Sequence, residues 1–195
     1  MIDFNLVVAA LLGLALGLVI SQIRVRGAHE LAATDTLTGL YNRAWMDKTL
    51  GRLFAQAVRG KTSLSIMMID LNHFKEANDR FGHQFGDEVL KSVAESMVTT
   101  VRKSDFIFRY GGDEFLVILP GTGAEGALKV GKKILHHLDN LKLTTPRGSE
   151  FEDVGASIGI ATYPDHAEAD LDLLKKADQA VYQAKDKHGH IEVAK

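Results

Sequence analysis

Residues 106–120 read FIFRYGGDEFLVILP, and no other stretch limits what this chain can fold into as tightly. Apolar runs at 106–108 and 115–119 flank Gly111, Gly112, Asp113 and Glu114. Two glycines between runs of strand length predict antiparallel strands joined by a primed turn, in which both glycines take positive φ. The adjacent acids then fall at a hairpin tip, where the end of a sheet meets solvent and carboxylates need not be buried.

The rest of the chain supplies partners for that hairpin. Apolar positions Trp45, Met46, Leu50, Leu53, Phe54 and Val58 recur at helical spacing, with Gly60 as a stop. SLSIMMIDL is a strand-length apolar run that carries Asp70 at its end. Short helices are predicted in NHFKEANDRFG, a longer one in QFGDEVLKSVAESMVTTVR, and another in AEGALKVGKKILHHLDNL. A strand in EDVGASIGIATYP and a helix in ADLDLLKKADQAVYQAK complete the order. Strand, helices, hairpin, helix, strand, helix predicts an α+β fold: a mainly antiparallel sheet with packed helices, of the ferredoxin-like palm type. At 195 residues and 46% hydrophobic, the chain can bury one full-sized core with a small appendage. A net charge of −2 excludes the basic field of a bulk nucleic-acid binder, and the absence of cysteine excludes disulfides and thiolate metal sites.

The appendage is N-terminal. FNLVVAALLGLALGLVISQI, residues 4–23, would span roughly 30 Å as a helix, about the thickness of a bilayer core. MIDFN lacks the basic start of a signal peptide, and SQIRVRG offers no small-x-small cleavage site. A single-pass membrane anchor over 1–23 is therefore expected, followed by a short linker helix over 24–34 and one domain over 35–195. Arg24 and Arg26 after the run, against Asp3 before it, orient the remainder to the cytoplasm, at an inner membrane. Gly13 and Gly17 either let two such helices approach closely or reflect the ordinary abundance of glycine in membrane helices.

Asp70 ends its strand after four apolar residues. It can cap the next helix, but Asn72 is better placed to do so. If its strand lies beside the hairpin, Asp70 and Asp113 meet at one end of the sheet. Carboxylates so placed suit Mg²⁺, which takes oxygen ligands, keeps waters and completes its shell with phosphates. A pair of such metals clamps the attacking and leaving oxygens of a phosphoryl displacement.

The chain from Asp35 to about Lys185 resembles the GGDEF domain of diguanylate cyclases. DTLTGLYNR, IDLNHFKEANDRFGHQFGD, RYGGDEF, SIGIA and ADQAVYQAK match family blocks in the family's order. The resemblance implies a nucleotidyl-cyclase-like fold and a nucleotidyltransferase that joins two GTP into cyclic di-GMP, releasing pyrophosphate, one GTP on each protomer of a homodimer. It implies two Mg²⁺ per site, with Mn²⁺ as a substitute, held by Asp70, the Leu71 carbonyl, Asp113 and Glu114. Asp113 matches the proton acceptor for the attacking hydroxyl, and Lys75 a phosphate-stabilising position. Asn78, His83 and Asp87 match guanine and substrate contacts, and Lys185 a triphosphate contact. An acceptor-only Asp87 suits the adjacent N–H donors of guanine. After Lys185 the chain departs from the family, with His188 and Gly189 where Gly and Arg are usual. Arg102 and Asp105 stand at the spacing of the family's inhibitory product site, although an i, i+3 Arg/Asp pair is also common on helices. A domain that has lost catalysis and serves as a cyclic di-GMP or GTP receptor is the alternative; such domains usually lose the hairpin acids, which are present here.

Overall fold

The run after Thr62 forms β2, Leu64–Leu71, which lies between β4, Glu114–Pro120, and β7, Ala156–Tyr163. Residues 33–151, 154–185 and 191–195 are described in the computed structural model. β2 is buried along almost all its length because helices cover both faces of the sheet, so it reads as a continuous apolar run and not an alternation. Leu64, Ile66 and Met68 pack with α1, Arg43–Gly60, and α5, Asp170–Lys185. Met67, Ile69 and Leu71 face the other way, toward α3, His83–Thr100, and α4, Ala124–Asp139. α2, Phe74–Phe81, joins that second layer through Phe74 and Phe81.

The sheet is mixed. Its order is β1-β3-β4-β2-β7-β8, with β1 at Tyr41–Asn42, β3 at Phe106–Arg109 and β8 at Ile191–Val193. The four inner strands are antiparallel, as the sequence predicts, but both edges are parallel: β1 on β3 and β8 on β7. Edge strands of two and three residues carry no periodic signal, which is why the sequence hides them. The parallel edge at β7 follows from α5, which provides the crossover such a pair needs. A small hairpin of β5, Leu143–Thr144, and β6, Glu150–Phe151, sets Phe151 edge-on against Phe81 and Phe85, at 5.7 and 5.3 Å between ring centres.

Several local expectations need correcting. Neither Gly111 nor Gly112 takes positive φ, so the β3–β4 connection is not a primed two-residue turn. Tyr110 and Gly111 both donate to the Glu114 carbonyl, at 2.8 and 3.1 Å, which closes a loop over Gly111, Gly112 and Asp113. Asn72 does not cap α2; its side chain accepts from Ser157 Oγ at 3.0 Å and ties the end of β2 to β7. Arg102 and Asp105 lie in the turn between α3 and β3, not on a helix. The predicted anchor at 1–23, and nearly all of the predicted linker helix at 24–34, fall outside the described residues. Among the described residues no helix is long and apolar enough to cross a membrane.

Candidate active site

Strand periodicity decides which acids meet. Asp70 continues the row Leu64–Ile66–Met68 and so belongs to the α5 side of the sheet. Glu114 is its direct partner across the β2–β4 ladder, and opposed residues share a face. Leu71 donates its N–H to the Asp113 carbonyl at 3.2 Å, which holds the end of β2 against the glycine loop. The sheet thus brings Asp70, Leu71, Asp113 and Glu114 together, as the sequence predicts.

α5 adds a base and an acid. Its backbone touches β7 at Gly159, where a Cβ would run into the Ala177 carbonyl and the Val181 amide. This approach sets Lys185, the last residue of α5, over the sheet end, and its Nζ lies 2.8 Å from Asp70 Oδ2. The Asp70 side chain is 14% exposed and that of Lys185 44%. Burial pushes the Asp70 carboxyl above its ordinary value; the Lys185 contact opposes that, and the charge of Asp113 reinforces it. Burial also raises Glu114, helped by the charges of Asp70, Asp113 and Asp178 and opposed by Lys185. Asp178 is missing from the sequence reading. Its signal was there, since it precedes Lys185 by seven residues, two turns of helix, and shares its face.

The residues expected to read the base gather on the opposite, α2–α3 side. Gly82, at φ 88° and ψ 160°, ends α2 and starts α3, folding one helix back on the other. In consequence the Asn78 side chain lies directly on Gly86, the neighbour of Asp87. Asn78 is half-buried, while Asp87, His83 and Lys75 are exposed. Asp105 closes the turn after α3 by accepting from the Arg102 backbone N–H at 2.9 Å, and Arg102 itself is exposed.

The donor set at the sheet end suits a hard divalent cation. It consists of oxygen ligands, partly buried, two of them made harder to ionise by their neighbours, a repulsion that a metal would relieve. Among the described residues no three acidic or histidine side chains already converge as a metal cage. Magnesium needs few protein ligands when phosphates supply the rest.

Comparison with known proteins places the chain in a family. The family model described as diguanylate cyclase, GGDEF domain, matches residues 32–190. The response regulator PleD of Caulobacter vibrioides is 42% identical over 156 residues, 80% of this chain and 34% of PleD. The diguanylate cyclase DosC of Escherichia coli is 38% identical over 157 residues, again 80% of this chain and 34% of the relative. The chain therefore spans about a third of the length of these curated relatives. The crystal structure of the coiled coil and GGDEF domain of DgcB from Caulobacter crescentus, in complex with c-di-GMP, superposes with a TM-score of 0.88 at 27% identity, covering 96% of this chain and 99% of that one. This chain belongs to the GGDEF domain family.

Proposed function

We propose that the domain is a diguanylate cyclase, which condenses two GTP into cyclic di-GMP and two pyrophosphates. The observation that carries this is the direct pairing of Asp70 with Glu114 across β2 and β4, with Asp113 beside them and Lys185 above. In this reading the triphosphate lies at the sheet end near Lys185 and Lys75, and guanine reaches round to Asn78, His83 and Asp87. Asp87 accepts the two guanine N–H donors, and adenine, lacking that donor pair, would leave the carboxylate poorly satisfied. Asp70, the Leu71 carbonyl, Asp113 and Glu114 would hold Mg²⁺ or Mn²⁺, which supplies charge neutralisation at the phosphates and lowers the pKa of a bound hydroxyl. Asp113 receives the proton as the 3′-oxygen of one GTP bonds to the α-phosphorus of the other and pyrophosphate leaves. Each protomer holds one nucleotide, so the productive species is a homodimer.

The exposed Arg102, with Asp105, is the proposed product site; cyclic di-GMP bound there would slow the enzyme. The apolar run at 4–23 is proposed as a single-pass anchor that keeps the domain at the cytoplasmic face of the inner membrane, on the sequence argument alone.

The purified chain incubated with Mg²⁺ and GTP should yield cyclic di-GMP, identified by mass. Asp113→Ala should abolish turnover while leaving the fold intact by circular dichroism. No product, with cyclic di-GMP still bound, would make the domain a receptor instead.

A further inference from the structure

We propose that Lys185 is a placeholder for the metal: in the nucleotide-free domain its ammonium occupies the cation position at Asp70, and it is handed to the triphosphate when a metal–nucleotide complex arrives. The inference rests on the functional reading above, and it adds an order of events, in which the site resists the metal alone and accepts metal and nucleotide together.

The geometry carries it. Lys185 Nζ sits 2.8 Å from Asp70 Oδ2, within the distance of a charge-assisted hydrogen bond. Asp70 is the less exposed partner, at 14% against 44%, so the carboxylate is fixed by the sheet and the lysine is the part able to leave. Lys185 ends α5, and its four-carbon stem can swing the ammonium without moving the helix. Among the described residues, the other charges that act on Asp70 and Glu114 are Asp113 and Asp178, both anionic, so Lys185 is the cation that offsets them. An ammonium and a divalent ion on one carboxylate repel each other strongly at short range. A metal arriving alone must expel Lys185 into solvent. A metal arriving with phosphates gives the ammonium a new anion to hold.

A lysine that only bound phosphate would behave differently on removal. It would weaken nucleotide uptake and leave metal uptake alone. A placeholder moves the two in opposite directions. The test is Mn²⁺ binding followed by electron paramagnetic resonance, without nucleotide and then with GTP, in the full chain and in Lys185→Gln and Lys185→Met, two variants of different shape at an exposed position. Both should bind Mn²⁺ alone more tightly, by roughly fivefold, the scale of a partly exposed ion pair. Both should take up Mn²⁺·GTP more weakly than the parent chain. Mn²⁺ affinity that is unchanged or reduced in both variants overturns the inference. Asp70→Asn separates the two levels: if it leaves Mn²⁺·GTP uptake intact, the functional reading of Asp70 fails and takes the inference with it. If Asp70→Asn abolishes uptake while the Lys185 variants bind Mn²⁺ as before, only the placeholder is wrong.

Discussion

A methyl group at Gly86 would collide with the amide oxygen of Asn78, the first clear case of a site residue held by a position the sequence did not mark. The obstacle is the far end of a flexible side chain, so Asn78 can rotate away and the fold should survive. Gly86→Ala is expected to cost about 1 kcal/mol of stability, the lower range for overpacking. GTP affinity should fall by roughly fivefold to tenfold, as one nucleotide hydrogen bond is lost. Calorimetric titration below the melting transition checks this; an affinity unchanged in the folded variant would mean that Asn78 does not touch the nucleotide. Gly82 is different. Its φ of 88° with ψ of 160° is a conformation open essentially to glycine alone, so Gly82→Ala should destabilise the domain by about 1–3 kcal/mol in urea unfolding. Asp70, Asp113 and Glu114 were legible because a strand end and a glycine turn are local signals. Gly86 was not, because its role depends on how one helix lies against another, and the two-turn spacing of Asp178 from Lys185 did not say that α5 sets that face over the sheet end.

At the scale of elements, the glycine loop is braced from the start of the domain. Arg109, the last residue of β3, donates through Nη1 to both Asp35 oxygens, at 3.1 and 3.2 Å, and through Nη2 to the Gly112 carbonyl at 2.9 Å. Thr38 donates its N–H and hydroxyl to Asp35 Oδ1 at 2.9 and 2.7 Å. Burial, the largest single influence, pushes the Asp35 carboxyl up, but the Thr38 and Arg109 bonds together outweigh it and hold it below 3.8. A lowered carboxyl contributes stability above its unfolded value and loses that contribution as pH falls through the folded one. Asp35→Asn should therefore cost about 1 kcal/mol at pH near 7, and the gap from the parent should narrow once pH drops below 3.8. Urea unfolding at several pH values reads this directly; a gap that persists in acid would mean that the carboxylate charge is not what braces the loop. In the sequence DTLTGLYNR stood out only as one block of the family resemblance. That Asp35 reaches the hairpin depends on β1 pairing in parallel with β3, a contact between residues far apart in the chain.

At the scale of the whole molecule, the sheet end of one chain presents a single set of Asp70, Asp113 and Glu114 among the described residues. Under the proposed function that set activates only the nucleotide it holds, while cyclic di-GMP needs two phosphodiester bonds, one from each nucleotide's own 3′-oxygen. Two chains must therefore meet face to face, and turnover should depend on association. Specific activity should rise with protein concentration until the dimer saturates. A sharper result is expected when the parent chain is mixed with an excess of Asp113→Asn. A mixed pair retains Asp113 on one side, so it can form one bond and not the second, and the linear dinucleotide pppGpG should accumulate at the expense of the cyclic product. Mass analysis distinguishes the two. Cyclic product that persists undiminished in the mixture, or a rate per chain that ignores dilution, would mean that one sheet end completes both bonds, against the division of labour argued from its acids.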